Sequence, residues 1–228
     1  MKNHILVTGA SGNLGKILVE ELHHEGHSIL ATVGFQQDLT VFDHLPHVKT
    51  AVLDVLNPES VVQFLKENEN FQIQAAILLV GGFAAGDIHH TDLEMLEKMY
   101  KLNFVTAFNV VKPLMQYFEK QNHGQFIFVG SRPTLHPEEG KNLFAYSLSK
   151  GLIFSMADLI NAQGKKHHIT ATVVVPSTID TPQNRNAMPD AKHDNWISPN
   201  AIGKAVAFIL SDTGKTLREP IFKLYNKS

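Results

Sequence analysis

The sequence predicts an α/β chain built on a doubly wound parallel sheet of about seven strands with helices on both faces. Three observations carry that prediction. Short apolar runs alternate with helix-length segments from end to end. Several runs, Ala76-Ile77-Leu78-Leu79-Val80 and Val173-Val174-Val175 among them, are continuously apolar, as strands buried on both faces are. No repeat, low-complexity tract or linker divides the 228 residues, so a single domain over 1–228 is expected.

The elements follow in order. The first strand, Ile5–Val7, leads into Thr8-Gly9-Ala10-Ser11-Gly12-Asn13-Leu14-Gly15 and a helix over about 13–25. Strands are expected at Ile29–Val33 and Thr50–Leu53, then a helix over about 58–69, which Asn57-Pro58 caps. Ala75–Val80 is the fourth strand, and a long helix over about 92–119 follows, capped by Thr91 or Asp92. Phe126–Val129, a helix over about 143–163 and the strand Thr170–Val175 come next. Ser198-Pro199 starts a helix over about 198–211, and Ile221–Leu224 is the last strand. Two irregular stretches, 131–142 and 176–197, follow strands at their C-terminal ends, the edge where open α/β sheets bind ligands. The second holds Pro176, Pro182 and Pro189 and is expected to be a lid over the site.

Composition excludes several functions. With 43% hydrophobic and 18% charged residues the chain is not disordered. A net charge of −2 without a basic stripe argues against a nucleic-acid binder. The absence of cysteine removes disulfide frameworks, cysteine zinc sites and thiol catalysis, and fits a cytoplasmic setting. The apolar stretch at the N-terminus is too short for a signal peptide or membrane span. Histidine pairs at 23–24, 89–90 and 167–168 are adjacent, not spaced i, i+4 as in a helical zinc site, so no metal is expected.

Two features point to chemistry. In the Thr8–Gly15 loop, glycines allow a tight turn and let a pyrophosphate approach bare backbone. The helix N-terminus beyond them offers free N–H groups to its charge. This strand–loop–helix predicts a Rossmann-type dinucleotide site. The end of the second strand reads Val33-Gly34-Phe35-Gln36, with neither the acid that binds an adenosine ribose nor an arginine for a 2′-phosphate, so NAD and NADP both stay open. Asp54, ending the third strand, is a candidate acceptor for the adenine amino group. The second feature is Tyr146 and Lys150, which share one helix face at i, i+4. A cation beside the phenol is expected to lower its pKa from about 10. Ser131, at the end of the fifth strand, faces the same edge and can polarise a substrate oxygen. Asn103 lies on the apolar stripe of the long helix with Leu96, Met99, Ala107 and Val110, and its amide must be satisfied, either by a water in a proton path or by nearby backbone.

These residues together resemble the short-chain dehydrogenase/reductase family over essentially the whole chain. The resemblance rests on Thr8–Gly15, Asp54, Asn103, Ser131, Tyr146-xxx-Lys150 and Pro176-Ser177-Thr178-Ile179-Asp180-Thr181. It implies an NAD(P)-dependent oxidoreductase acting on a small carbonyl, alcohol or pteridine-like substrate. Tyr146 would be the general acid/base, and Lys150 would bind the nicotinamide ribose. Ser131 would polarise the substrate, and Asn103 would hold a proton-relay water. Cofactor contacts would fall on Gly9, Ser11, Asn13, Leu14, Gly15, Asp54, Gly81, Gly82, Lys150, Pro176 and Thr181. Within the family, Leu79-Val80-Gly81-Gly82-Phe83-Ala84-Ala85-Gly86 and Asp180–Pro189, with Trp196 beyond it, resemble the quinonoid dihydropteridine reductases. The helices at 92–119 and 143–163 carry surplus apolar residues (Phe104, Val105, Phe108, Val111, Leu152, Phe154, Met156, Leu159). Relatives pair these helices, so a homodimer or homotetramer is expected. A sensor of the same fold that binds dinucleotide without chemistry is the alternative.

Overall fold

Strand residues of both parities are apolar here because both faces of the sheet are covered. In the computed structural model, which describes residues 3–227, Leu6, Leu30, Ala76, Phe126 and Val173 point into one core. Their strand neighbours Ile5, Ile29, Ile77, Ile127 and Val174 point into the other. The sheet is formed by β1 (His4–Thr8), β2 (Ser28–Val33), β3 (Val48–Val52), β4 (Ala75–Leu78), β5 (Gly124–Val129), β6 (Ile169–Pro176) and β7 (Ile221–Leu224). All pairs are parallel and the order is β3-β2-β1-β4-β5-β6-β7. The strand order reverses between β1 and β4, which opens a crevice at their C-terminal ends.

The helices divide between the faces. On one side α1 (Asn13–His24) buries Leu18, Val19 and Leu22, and packs on a later helix, Pro199–Leu210, which buries Ile202, Val206 and Ile209. On the other side lie α2 (Pro58–Glu67), α3 (Leu93–Tyr100), α4 (Thr106–Gln121) and, further along, α7 (Phe144–Gly164). The expected caps form: Asn57 Oδ1 accepts from Ser60 N at 3.0 Å, and Asp92 Oδ1, not Thr91, from Met95 N at 2.8 Å.

Three expectations change. The long helix at 92–119 is interrupted by a wide π turn over Lys101–Val105, with Asn103 buried inside it. β4 ends at Leu78: Leu79 N still donates to Thr8 O at 3.3 Å, and Val80 turns against Gly9 of the glycine loop. The stretch 131–142 holds two short helices, α5 (Arg132–Leu135) and α6 (Pro137–Gly140), and 176–197 holds α8 (Pro182–Ala187); α9 is Pro199–Leu210. Among the described residues no helix is long and apolar enough to cross a membrane, and no group of three His, Cys, Asp or Glu is placed to hold a metal.

Candidate active site

The β1–α1 turn is built for a close backbone approach. Gly9 has φ +69°, and a Cβ there would lie 3.1 Å from Val80 N. A Cβ on Gly15 would lie 2.5 Å from Gly9 O and 2.6 Å from Ala10 O, so the helix can sit this near the turn only without a side chain. Gly12 caps α1 without any side-chain hydrogen bond, and no acid occupies the first turn. The N–H groups of Asn13, Leu14 and Gly15 therefore present partial positive charge with no side chain to absorb it. A crevice of bare backbone ending in an uncapped twelve-residue helix fits a dinucleotide pyrophosphate.

Two side chains of this turn have partners elsewhere. Ser11 Oγ donates to Asp38 Oδ2 at 2.8 Å. Asn13 Nδ2 donates to Gln183 Oε1 on α8 at 3.0 Å, joining the turn to the 176–197 segment. Neither Asp38 nor Gln183 was expected at the site. Asp38 lies five positions beyond Val33, on a short 3-10 turn (Gln36–Asp38), and only the adjacency of β1 and β2 brings it to Ser11. Asp54 is exposed at the sheet's β3 edge, and its Oδ1 accepts from Leu56 N at 2.9 Å. Lys16 is exposed.

Beyond β4, Gly81 and Gly82 cross in front of Asn103. The Asn103 side chain accepts from Gly82 N at 2.9 Å and donates to Gly82 O at 3.1 Å and Ser149 Oγ at 3.0 Å. A Cβ on Gly81 would lie 2.7 Å from Asn103 Oδ1 and 3.4 Å from Lys150 Nζ. Of the two readings open for this amide, a water holder or a partner of nearby backbone, the hydrogen bonds to Gly82 match the second. Its polar atoms are taken up by protein, and it pins the loop after β4 to α7. The π turn that carries it is the kind of helix defect often found at functional sites.

Tyr146 and Lys150 occupy the first two turns of α7. Lys150 Nζ donates to Val129 O at the end of β5, 2.9 Å away. Burial of this ammonium lowers its pKa from 10.5 to about 8. Ser131 Oγ lies 2.9 Å from Thr134 Oγ1, and Ser131 is near enough to the Tyr146 phenol to act on its pKa. The Phe83 ring stands edge-on to Tyr146 at 5.1 Å, yet is 65% exposed. The phenol contradicts its expected shift. Burial raises the Tyr146 pKa above the ordinary value, and Ser131 opposes that only in part, while the Lys150 ammonium is drawn to a backbone carbonyl. Thr181 is buried, and its hydroxyl oxygen caps α8 by accepting from Asn184 N at 3.2 Å. Pro176 ends β6.

The fold thus gathers Gly9, Gly15, Gly81, Gly82, Asn103, Ser131, Tyr146 and Lys150 along one sheet edge, and leaves Asp54 at its far strand. The arrangement can hold a dinucleotide and deliver a proton beside it.

A profile described as short chain dehydrogenase matches residues 3–192. The 3-oxoacyl-acyl-carrier-protein reductase MabA of Mycobacterium tuberculosis is 27% identical over 192 residues, 79% of this chain and 71% of that one. The dihydropteridine reductase of Dictyostelium discoideum is 24% identical over 199 residues, covering 86% and 82%. Among solved structures, an oxidoreductase of the short chain dehydrogenase/reductase family from Burkholderia thailandensis superposes with TM-score 0.87 at 20% identity, covering 98% and 91%. ElxO with NADP bound gives 0.89 at 16% identity, covering 98% and 97%; both likenesses speak to the fold. The sheet order, the glycine turn and a profile match over residues 3–192 of 228 lead to one conclusion: the chain belongs to the short-chain dehydrogenase family, and is an oxidoreductase that uses NAD or NADP.

Proposed function

We propose that the chain is a reductase of a small carbonyl or planar pteridine-like substrate, with Tyr146 as general acid. The observation that carries this reading is the convergence of Ser131, Tyr146 and Lys150 beside the glycine loop. The bound nicotinamide supplies hydride. Ser131 orients the substrate oxygen or nitrogen, Tyr146 gives it a proton, and Lys150 holds the ribose with a charge retained below about pH 8. Asn103, with Gly81 and Gly82, keeps the facing wall in place. An exposed Phe83 ring above the acid favours a flat, apolar substrate, since stacking would remove that surface from water. The test is a turnover screen with simple ketones, a 3-oxoacyl thioester and quinonoid 6,7-dimethyldihydropterin. Turnover of one or more is expected. Tight cofactor binding with no turnover would support the sensing alternative.

NADH is the favoured cofactor in this reading. Ser11 holds the Asp38 carboxylate beside the turn where an adenosine ribose would sit, so a 2′-phosphate would meet like charge. Titration should give NADH an advantage of about tenfold or more, equivalent to ~1.4 kcal/mol. Asp38→Ser should shrink that advantage. Equal affinities in the parent protein would remove Asp38 from this role.

The segment 176–197 acts as a lid on a single domain, latched through Gln183 to Asn13 with Thr181 as its cofactor contact. The one tryptophan, Trp196, is buried at its base and reports on it. NADH should alter Trp196 emission and slow proteolysis within the segment, and no change in either would argue against a lid.

The protein is also proposed to be a cytoplasmic homodimer or homotetramer. Val111 and Met156, counted above as surplus, are core residues, and Phe104 and Phe154 pack partly on the core. The exposed remainder on the α3–α4 and α7 faces includes Tyr100, Phe108, Leu148, Leu152 and Leu159, the last 71% exposed. Light scattering at micromolar concentration should return two or four subunits.

A further inference from the structure

Ser131 is carried by a weak element. It starts a turn made of two four-residue helices, α5 and α6, each far too short to be stable alone. Leu135 packs on the core and α5 on α7, and a further hold on the turn comes from the other end of the sequence. Arg132, next to Ser131, places Nη2 2.7 Å from Glu139 Oε1 on α6 and its guanidinium 5.1 Å from the centre of the Tyr225 ring. His136, at the junction of α5 and α6, meets the same ring edge-on at 5.7 Å. Arg132 Nε and His136 Nε2 are buried without a hydrogen-bond partner among the described residues. The two ring contacts tie this turn to Tyr225, and one partly exposed ion pair, weak by itself, ties Arg132 to α6.

Tyr225, just past β7, is anchored in turn. Its carbonyl accepts from Ser177 Oγ at 3.0 Å, near the start of the 176–197 segment. Asn226 Nδ2 donates to Asp194 O at 3.2 Å and Trp196 O at 2.9 Å, near that segment's end. Two consecutive residues thus join the Ser131 turn to both ends of the lid segment.

We propose that Tyr225 and Arg132 are positioning residues: the strap formed by Tyr225 and Asn226 holds the Ser131 turn through Arg132 and His136, and so keeps the Ser131 hydroxyl against Tyr146. This rests on reading Ser131 and Tyr146 as the groups that meet the substrate. The strap leaves the glycine turn untouched but reaches the lid segment, so its loss should lower kcat by far more than it lowers dinucleotide affinity. Small displacements of a positioned group cost rate steeply, and a loss of about tenfold to a hundredfold in kcat follows.

The test compares Tyr225→Ala, Tyr225→Phe and Arg132→Met with the parent protein. The readouts are NADH affinity, kcat and KM on the substrate found in the screen, Trp196 emission, and amide exchange over 131–140. In Tyr225→Ala, kcat should fall by about that factor with NADH affinity within about twofold, exchange over 131–140 should quicken, and Trp196 emission should shift. Tyr225→Phe keeps the ring contacts with Arg132 and His136 and should recover part of each loss. Unchanged kcat in Tyr225→Ala would overturn the proposal. So would equal damage in the Ala and Phe variants, or loss of NADH affinity in step with kcat, which marks general loosening. Should Tyr225→Ala not fold, Arg132→Met, which removes only the cation, is expected to show the same kcat loss and faster exchange, and parent-like values would overturn the strap. If the parent itself turns over none of the screened substrates, the catalytic reading fails by that result alone. Amide exchange and Trp196 emission then still decide the strap, and parent-like values in Tyr225→Ala overturn it.

Discussion

Tyr146→Phe is expected to lower kcat by about 10²–10⁴-fold while leaving NADH affinity within about twofold. The substitution removes one oxygen and keeps the ring, so the edge-on contact with Phe83 at 5.1 Å survives. No part of the glycine turn depends on the phenol. What disappears is the hydroxyl proposed above as the proton donor beside Ser131. The pH dependence follows from the two shifts. Burial raises the phenol, so Tyr146 stays protonated throughout the neutral range and reduction does not weaken there for want of acid. Lys150, lowered to about 8, is charged below that pH and neutral above it, so the reductive rate should decline as pH rises through about 8. In the oxidative direction Tyr146 must accept a proton, and its raised pKa pushes that limb to higher pH. Parent-like turnover by Tyr146→Phe would mean that another group supplies the proton.

Gly15→Val should abolish measurable dinucleotide binding, a loss of more than about a hundredfold. A single Cβ at this position already lies 2.5–2.8 Å from the backbone of Gly9 and Ala10, and backbone cannot rotate aside as a flexible side chain would. The valine must therefore drive α1 away from the turn, and its first N–H groups leave the place where they meet the pyrophosphate. Overpacking of this kind also costs roughly 1–3 kcal/mol of stability. Gly12 supplies the contrast, because a Cβ there has only Gly9 O near it, at 3.3 Å. Gly12→Ala should remain folded and lose much less affinity. Circular dichroism confirms folding, and calorimetric titration with NADH reads the binding. A folded Gly15→Val protein with parent-like affinity would show that the turn does not seat the phosphates.

Much of this protein was decided locally, and those parts were legible in the sequence. Strands covered on both faces are continuous apolar runs, so all seven strands and their order along the chain could be read within a few residues. The glycine turn and Tyr146-xxx-Lys150 were equally legible, since a turn and an i, i+4 pair on one helix need no distant partner. Properties that depend on residues far apart in the chain were not. Asn103 is satisfied by Gly82 and Ser149, 21 and 46 positions away, and the π turn exists in that company. Asp38 reaches Ser11 only because β2 lies beside β1. Val111 and Met156 look like interface residues on a helical stripe, but the sheet claims them for the core. The phenol was expected to be lowered by a lysine four residues away. It is raised instead, because desolvation is set by every group packed around it and Lys150 turns to Val129. Sequence determines which chemistry is present and on which element. Tertiary packing decides which groups are desolvated, which are already satisfied, and which remain free to act.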